Sequence, residues 1–193
     1  MEDGLEGPEP PAARSRRSLR RMVLYAVVAS VAAVGVVASL ANYSGPNTTG
    51  ATVERHEAAP RFALPNLEKG GSEVSLAALA GRPAVINFWA SWCVPCRREM
   101  PAFETVYEEV GGDVAFVGVN HLDSRAIALD LVAETGITYP SGYDPQGTVA
   151  FDFGLYGMPT TVFVDADGTI LEQHTGELSR DALRATIERL FGV

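Results

Sequence analysis

The chain has 193 residues, which is enough for about one domain with a single hydrophobic core. Its composition, 47% apolar and 20% charged, excludes disordered and collagen-like classes. With 24 acidic residues against 15 basic ones, the net charge is −9, and so acidic a chain lacks the basic surface that nucleic-acid-binding proteins need.

The N-terminal part of the chain combines a basic segment with an apolar run. Five arginines occur in residues 1–21, whereas residues 22–42 carry no charge. At ~1.5 Å per residue, a helix of this length spans about 31 Å, which is enough to cross the hydrocarbon core of a bilayer. Because arginines flank only its N-terminal side, we predict a cytoplasmic tail (1–21), a transmembrane anchor in the lipid bilayer (22–42) and an extracytoplasmic remainder.

A cleaved secretory signal peptide is the alternative interpretation of this segment. Ser39-Leu40-Ala41 resembles a cleavage site. The apolar run exceeds the usual signal-peptide length of about 7–15 residues, however, which favours an uncleaved anchor. In the first case the protein is secreted, and in the second it stays in the cell membrane as a single-pass protein; the remainder is extracytoplasmic in both.

Residues 43–59 show no apolar periodicity, so we predict a linker there and an extracytoplasmic domain over residues 60–193. The domain opens with two extended segments, 62–67 and 73–75, which flank Lys69-Gly70-Gly71 and predict a hairpin. Further apolar runs predict strands at Ala84–Trp89, 114–120, Thr160–Val164 and 169–172, with Asp167-Gly168 as the turn between the last two.

Helices are predicted between and after these strands. The first helix covers residues 93–110, and a short one covers 148–153. Another is capped by Ser124, and its apolar face uses Ile127, Leu131 and Val132. The last is capped by Ser179 and has Leu183, Ile187 and Leu190 on one face. This alternation indicates an α/β domain with a central mixed sheet flanked by helices.

The only two cysteines, Cys93 and Cys96, carry the chemistry. Cys93 falls where a buried strand passes into a helix, and the unpaired N–H groups and dipole of a helix start favour an anion there. A thiolate is the nucleophile of disulfide exchange, so a lowered pKa prepares Cys93 for attack. Cys96, one turn later, can attack the mixed disulfide and release the product. We therefore predict that Cys93 is the nucleophile and Cys96 the resolving thiol.

The segment VINFWASWCVPCRREMP, residues 85–101, resembles the active-site segment of the thioredoxin superfamily. More narrowly, it is similar to the TlpA/ResA/CcmG branch of membrane-anchored thiol–disulfide oxidoreductases. The resemblance runs from about Pro60 to Val193 and includes the segments APRFALP, residues 59–65, and GMPTT, residues 157–161. It implies a thioredoxin-like fold with an N-terminal hairpin and a central αβ insertion.

The resemblance also implies where a substrate binds. The Met158–Pro159 bond is expected to be cis, and this loop is expected to face the cysteines. A cis bond would leave the Met158 backbone free to pair with a bound substrate like an added strand. Trp92, Met158 and Pro159 are therefore the expected substrate-binding residues.

A glutamate three residues after the second cysteine distinguishes the membrane-anchored branch, and Glu99 occupies that position. Thioredoxin has a buried Asp where this chain has Asn87, which cannot exchange a proton near neutral pH. Glu99 shares a helix face with Cys96, and a partly buried carboxyl would have a raised pKa and could accept the proton of Cys96. The alternative is an exposed helix glutamate without a catalytic role.

Three other interpretations of the cysteine pair are weaker. A zinc site needs two further ligands, whereas His56, His121 and His174 are scattered singly. Thiolates and imidazole suit Cu(I), but copper-delivery relatives of this fold carry three residues between their cysteines, and here there are two. A purely structural disulfide is implausible, because a bond between residues three apart cannot connect distant parts of the fold. We therefore expect no metal and no organic cofactor.

The direction of electron flow follows from the charges near the thiols. Val94-Pro95 brings no cation between the cysteines and Glu99 adds negative charge, so the thiolate is disfavoured and the pair leans toward a reductant. The resemblance implies the same: its members reduce extracytoplasmic protein disulfides, often on apocytochrome c before haem attachment, and a membrane electron donor restores their thiols. We predict such a reductase, acting as a monomer. The alternatives are a disulfide-forming oxidase and a copper-binding assembly factor.

Overall fold

The computed structural model describes residues 49–193. The predicted cytoplasmic tail, residues 1–21, and the predicted anchor, residues 22–42, lie outside this range. Within the range, no helix is both long enough and apolar enough to span a bilayer.

Eight strands and four α-helices make up the described part of the chain. The strands are β1 Thr49–Ala58, β2 Ala63–Leu64, β3 Val74–Ser75, β4 Ala84–Trp89, β5 Ala115–His121, β6 Ser141–Asp144, β7 Thr160–Val164 and β8 Thr169–Glu177, and the helices are α1 Val94–Val110, α2 Arg125–Thr135, α3 Thr148–Asp152 and α4 Arg180–Phe191. A short 3-10 helix, Leu76–Leu79, follows β3.

Six of the strands form one mixed sheet in the order β1-β8-β7-β4-β5-β6, and β2 pairs with β3 in the predicted hairpin. Strands β4, β5 and β6 run parallel, whereas β7, β8 and β1 join by antiparallel pairing. Between β5 and β7 the chain adds α2, β6 and α3, where the expected central insertion falls. This is the thioredoxin-like α/β arrangement.

The central strand β4 separates two hydrophobic cores, because successive side chains of a strand point to opposite faces of the sheet. Val85 and Trp89 pack in the core that includes Phe103 of α1. Ile86 and Phe88 pack on the other side, in the core that includes Phe153 after α3. All six residues of β4 are buried, as its continuous apolar run predicts. The residues that follow Trp89 are therefore attached to a rigid, fully buried strand.

The linker prediction is wrong for its second half, because residues 49–58 form β1 at the edge of the sheet. This strand pairs with β8 over Thr49↔Glu177 to Ala58↔Thr169, with an irregularity between Glu54 and Glu57. Its side chains are mostly exposed, so it has no apolar alternation that would reveal it in the sequence. The folded domain therefore includes residues before 60.

Two further details differ from the sequence-based expectation. The strand β6, Ser-Gly-Tyr-Asp, has the composition of a turn and was not predicted. The buried face of α2 uses Ala128 and Leu131 with Val132 at its margin, whereas Ile127 is exposed. Ile127 precedes Ala128 by about 100° around the helix, which takes it off the buried face.

Candidate active site

Cys93 and Cys96 lie at the start of α1, directly after the turn that follows β4. Cys93 is the N-cap of the helix, and its Sγ accepts a hydrogen bond from the Cys96 backbone N–H at 3.3 Å. Pro95 occupies the first turn, where a missing N–H leaves no hydrogen bond unmade. The two sulfurs form a disulfide. Cys93 retains 5% exposure and Cys96 none, so an attacking partner can reach only Cys93.

Trp92 stands beside the disulfide with 58% of its surface exposed. Its indole Nε1–H donates to the carbonyl oxygen of Leu122 at 3.1 Å. Leu122, which follows β5, has φ +46°, a conformation that side-chain-bearing residues rarely adopt. Among the described residues it is the only non-glycine with positive φ. This hydrogen bond thus connects the loop after β5 to the loop after β4.

Asp123 also connects the loop after β5 to the turn after β4, a role that no sequence pattern indicated. Its carboxylate accepts from the backbone N–H and the hydroxyl of Ser91 at 2.6 and 2.7 Å. It also accepts from the amide of Asn120 at 3.0 Å and from the N–H of Ser124 at 2.8 Å. Ser91 lies two residues before Cys93, so Asp123 fixes the turn that leads into the cysteines. An acidic residue after a strand is too common to predict such a role.

The Met158–Pro159 peptide bond is cis, as the resemblance implies. Met158 is half-buried and packs against the same core cluster that contains Cys93 and Cys96. The carbonyl oxygen of Pro159 accepts from the N–H of Gly176 at 2.9 Å, which ties the loop to β8. The structure therefore brings Met158, Pro159 and the cysteine pair to one end of the sheet.

Glu99 is buried with 1% exposure, so the alternative of an exposed glutamate is wrong. Its carboxylate accepts from the side-chain amide of Asn87 at 2.9 Å and from the N–H of Leu178 at 3.1 Å. Burial raises the pKa of Glu99 from about 4.5 to about 8; the two hydrogen bonds lower the pKa, and the nearby charge of Glu177 raises it. A carboxyl with this pKa exchanges its proton near neutral pH.

An open groove of about 790 Å³ extends from Trp92 to Met158. Three more large apolar side chains on its walls are exposed, namely Leu122, Phe151 (82%) and Tyr156. The lining contains two titratable side chains, His121 and Tyr156, and no Asp, Glu, Lys or Arg. Burial lowers the pKa of His121. The groove is therefore apolar and uncharged near neutral pH. The sequence did not single out Phe151 or Tyr156, because nothing in its pattern distinguishes an exposed aromatic from a core one.

Two arginines follow Cys96, and each is paired away from the disulfide. The Arg97 guanidinium donates to Glu134 at 2.7 and 2.8 Å, and the Arg98 guanidinium donates to Glu177 at 2.5 and 2.9 Å. Among residues 49–193, no three His, Cys, Asp or Glu side chains are grouped as metal ligands.

The sequence model of the Redoxin family matches residues 54–190, which include every residue of this site. The chain belongs to the Redoxin family. Among similar proteins, thiol:disulfide interchange protein DsbE of Pseudomonas fluorescens biotype C is 35% identical over 136 residues, covering 68% of this chain and 74% of the relative. Thiol-disulfide oxidoreductase ResA of Bacillus thuringiensis subsp. konkukian is 27% identical over 152 residues, covering 77% and 85%.

Solved structures of similar fold are also known. A DsbF homologue from Corynebacterium diphtheriae superposes with a TM-score of 0.66 and 30% identity, covering 77% of this chain and 98% of that structure. The predicted thioredoxin-like fold and the resemblance to ResA-type oxidoreductases are both confirmed.

Proposed function

We propose that this Redoxin-family protein is an extracytoplasmic thiol–disulfide oxidoreductase that reduces protein disulfides. The observation that carries the proposal is the Cys93–Cys96 disulfide at the start of α1, between an exposed apolar groove and a buried glutamate. Relatives named as thiol:disulfide interchange proteins support the reaction class. The resemblance to the ResA branch supports apocytochrome c as the client.

The reaction begins with the reduced pair. The Cys93 thiolate attacks one sulfur of the client disulfide, which forms a mixed disulfide and releases the other client sulfur as a thiolate. Cys96 then loses its proton and attacks the Cys93 sulfur, which closes the Cys93–Cys96 disulfide and releases the second client thiol. Two electrons pass to the client, and a dithiol of a membrane electron donor returns two electrons to the enzyme.

Glu99 supplies the base for the second step. Cys96 is fully buried, so its proton needs an acceptor within the protein, and Glu99 lies one helical turn further along α1. Its pKa of about 8 is close to the ordinary thiol value of about 8.5, which allows transfer in either direction. We infer that Glu99 accepts the proton of Cys96 during resolution.

The direction toward reduction rests on the positive charges that the segment from Cys93 to Arg98 brings to the thiols. Val94 and Pro95 bring none, and the ion pairs of Arg97 and Arg98 with carboxylates offset both nearby positive charges. A thiolate without such support is less stable, so the dithiol state gives up its electrons more readily. A disulfide-forming oxidase would need the opposite arrangement.

The apolar groove accounts for client binding. Its lining of Trp92, Phe151, Tyr156 and Met158 suits an extended polypeptide segment with uncharged side chains around its cysteines. We infer that Trp92 packs on this segment, while the Met158–Pro159 backbone pairs with it.

The roles of the two thiols are tested by trapping a client. Cys96→Ser removes the resolving thiol, so a stable mixed disulfide with the client should accumulate on Cys93. Cys93→Ser is the matched control and should trap nothing. Non-reducing electrophoresis of both variants after exposure to an oxidised client peptide measures the adduct. Trapping on Cys96 instead would reverse the assignment of nucleophile and resolving thiol.

A further inference from the structure

Leu122, the first residue after β5, has a backbone conformation that is strained for a leucine. Its φ of +46° lies in the left-handed region, and every other residue with positive φ in the described part of the chain is a glycine. In this region the Cβ of a leucine comes too close to a backbone carbonyl oxygen, whereas a glycine has no Cβ. Strain of this kind is concentrated at functional sites, which indicates a function for the leucine side chain.

The side chain of Leu122 contributes little to the interior of the fold. Leu122 is 51% exposed and lines the groove that extends from Trp92 to Met158. A β-carbon added at Gly147 would lie 3.1 Å from the Cγ of Leu122, so the leucine side chain packs over the N-cap residue of α3. The strained backbone therefore directs this side chain into the groove and not into a hydrophobic core.

The wall that Leu122 forms is continuous with the cysteine pair. The indole Nε1–H of Trp92 donates to the carbonyl oxygen of Leu122 at 3.1 Å, and Trp92 directly precedes Cys93. When a client cysteine is bonded to Cys93, the side chain next to it can therefore reach the apolar surfaces of Trp92 and Leu122. Since the hydrogen bond uses the backbone carbonyl oxygen, substitutions of the Leu122 side chain leave this contact in place.

We propose that Leu122 is a specificity residue, which selects client disulfides whose cysteines are flanked by a large apolar side chain. The inference rests on the proposed disulfide reductase activity and adds the chemistry of the client at that site. Apolar surface of the client that packs on Leu122 leaves water, which favours formation of the mixed disulfide. A polar side chain of the same size loses hydrogen bonds to water, and the uncharged groove offers little in return. The fold gives up stability at Leu122 in exchange for this selection.

Two cyclic disulfide peptides test the selection. They differ only at the residues that flank their cysteines, which are leucine in one peptide and asparagine, of similar size, in the other. The full-length protein in detergent is reduced, freed of reductant and mixed with each peptide, and alkylation of the remaining protein thiols gives the rate. In this reaction the Cys93–Cys96 dithiol becomes a disulfide, and the peptide gains two electrons and two protons.

The wild type should react about 10-fold faster with the leucine peptide than with the asparagine peptide. Leu122→Ala and Leu122→Gly should both lower this preference to about two- or three-fold, because both remove the apolar wall. Ile127→Ala is the matched control, since it removes an apolar side chain of similar exposure, 55%, from α2 and should keep the preference. A general loss of folding would slow both peptides and leave their ratio unchanged.

The melting temperatures of the same variants test the strain. Leu122→Gly should melt about 2–4 °C above Leu122→Ala, because alanine keeps a Cβ in the left-handed conformation and glycine does not. Equal melting temperatures would overturn the strain at Leu122. A wild-type preference that persists in both variants would overturn the selection by Leu122 while leaving the reductase proposal intact. A wild type that reduces neither peptide would overturn the reductase proposal and this inference with it.

Discussion

At the scale of single residues, the site depends on two carboxyl groups. Glu99 is buried behind the cysteines, and Asp123 accepts hydrogen bonds from the turn that precedes them. The i+3 spacing from Cys96 correctly predicted that Glu99 faces inward. The depth of its burial and its contacts with Asn87 and Leu178 required the three-dimensional structure. Asp123 was missed because its partners come from separate strand ends, which no local pattern connects.

Glu99→Gln should separate a proton-transfer role from a packing role. The partnerless Oδ1 of Asn87 can turn to accept from the new amide, so the fold should be retained. Turnover of a protein disulfide should fall by about 10²-fold, because resolution loses its base. Glu108→Gln, an exposed position on the same helix, is the control. Unchanged turnover in Glu99→Gln would leave water as the proton acceptor.

The pKa of Glu99 also predicts a pH dependence of stability. The unfolded chain ionises this carboxyl near 4.5, whereas the folded chain does so at about 8, so the folded state binds more protons between these values. The free energy of unfolding should therefore decrease as the pH rises from about 4.5 to about 8. Urea unfolding should show this slope in the wild type and a flatter profile in Glu99→Gln. Identical profiles would mean that Glu99 is not buried as a neutral acid.

Asp123→Asn should loosen the turn before Cys93. The amide keeps one acceptor oxygen but turns an N–H₂ group toward donors that now bond the carboxylate, so we expect a loss of about 2 kcal/mol in unfolding free energy. The rate at which reduced Cys93 is alkylated, followed against pH, should also shift, because the position of its thiol is no longer fixed. Asp130→Asn, exposed on α2, should change neither. If Asp123→Asn behaves like that control, Asp123 is not a positioning residue.

At the scale of elements, prediction from sequence succeeded where burial imposes a pattern. The apolar run predicted β4 to the residue, the helix predicted at 93–110 matches α1 to within one residue, and Ser179 is the N-cap of α4 as predicted. It failed at β1 and β6, which lie at the two edges of the sheet. The side chains of β1 are mostly exposed and the strand is held by backbone pairing, so its sequence carries no apolar alternation. The strand β6 is largely buried, but its residues, Ser-Gly-Tyr-Asp, have the composition of a turn.

Arg55→Ala tests whether β1 is an integral strand. The Arg55 guanidinium donates to Gln173 of β8 at 2.6 Å and to the carbonyl oxygen of Phe153 at 3.2 Å, so it joins the edge strand to two other elements. Removing it should lower the unfolding free energy by about 1 kcal/mol, discounted for its partial exposure. Thermal unfolding should shift by about 2–4 °C, whereas His56→Ala, exposed on the same strand, should not shift it. Equal melting temperatures for both variants would mean that the contacts of Arg55 in β1 do not stabilise the fold.

At the scale of the whole molecule, the disulfide, the groove and the buried carboxyl lie at one end of a rigid sheet. Electron flow through this arrangement is decided by how well the protein stabilises the Cys93 thiolate. Strongly oxidising members of the superfamily stabilise it heavily, as the couple of about −120 mV of DsbA shows beside about −270 mV for thioredoxin. Here the charges of Arg97 and Arg98 are paired with carboxylates, and Glu99 brings no positive charge, so these residues do little to stabilise the Cys93 thiolate.

The reduction potential of the Cys93–Cys96 pair tests the central claim most directly. It is measured by equilibrating the full-length protein in detergent with glutathione buffers and with thioredoxin, and by quantifying the alkylated thiols. A reductase predicts a potential below about −200 mV, nearer to thioredoxin than to DsbA. A potential near −120 mV would contradict the account and identify the protein as a disulfide-forming oxidase.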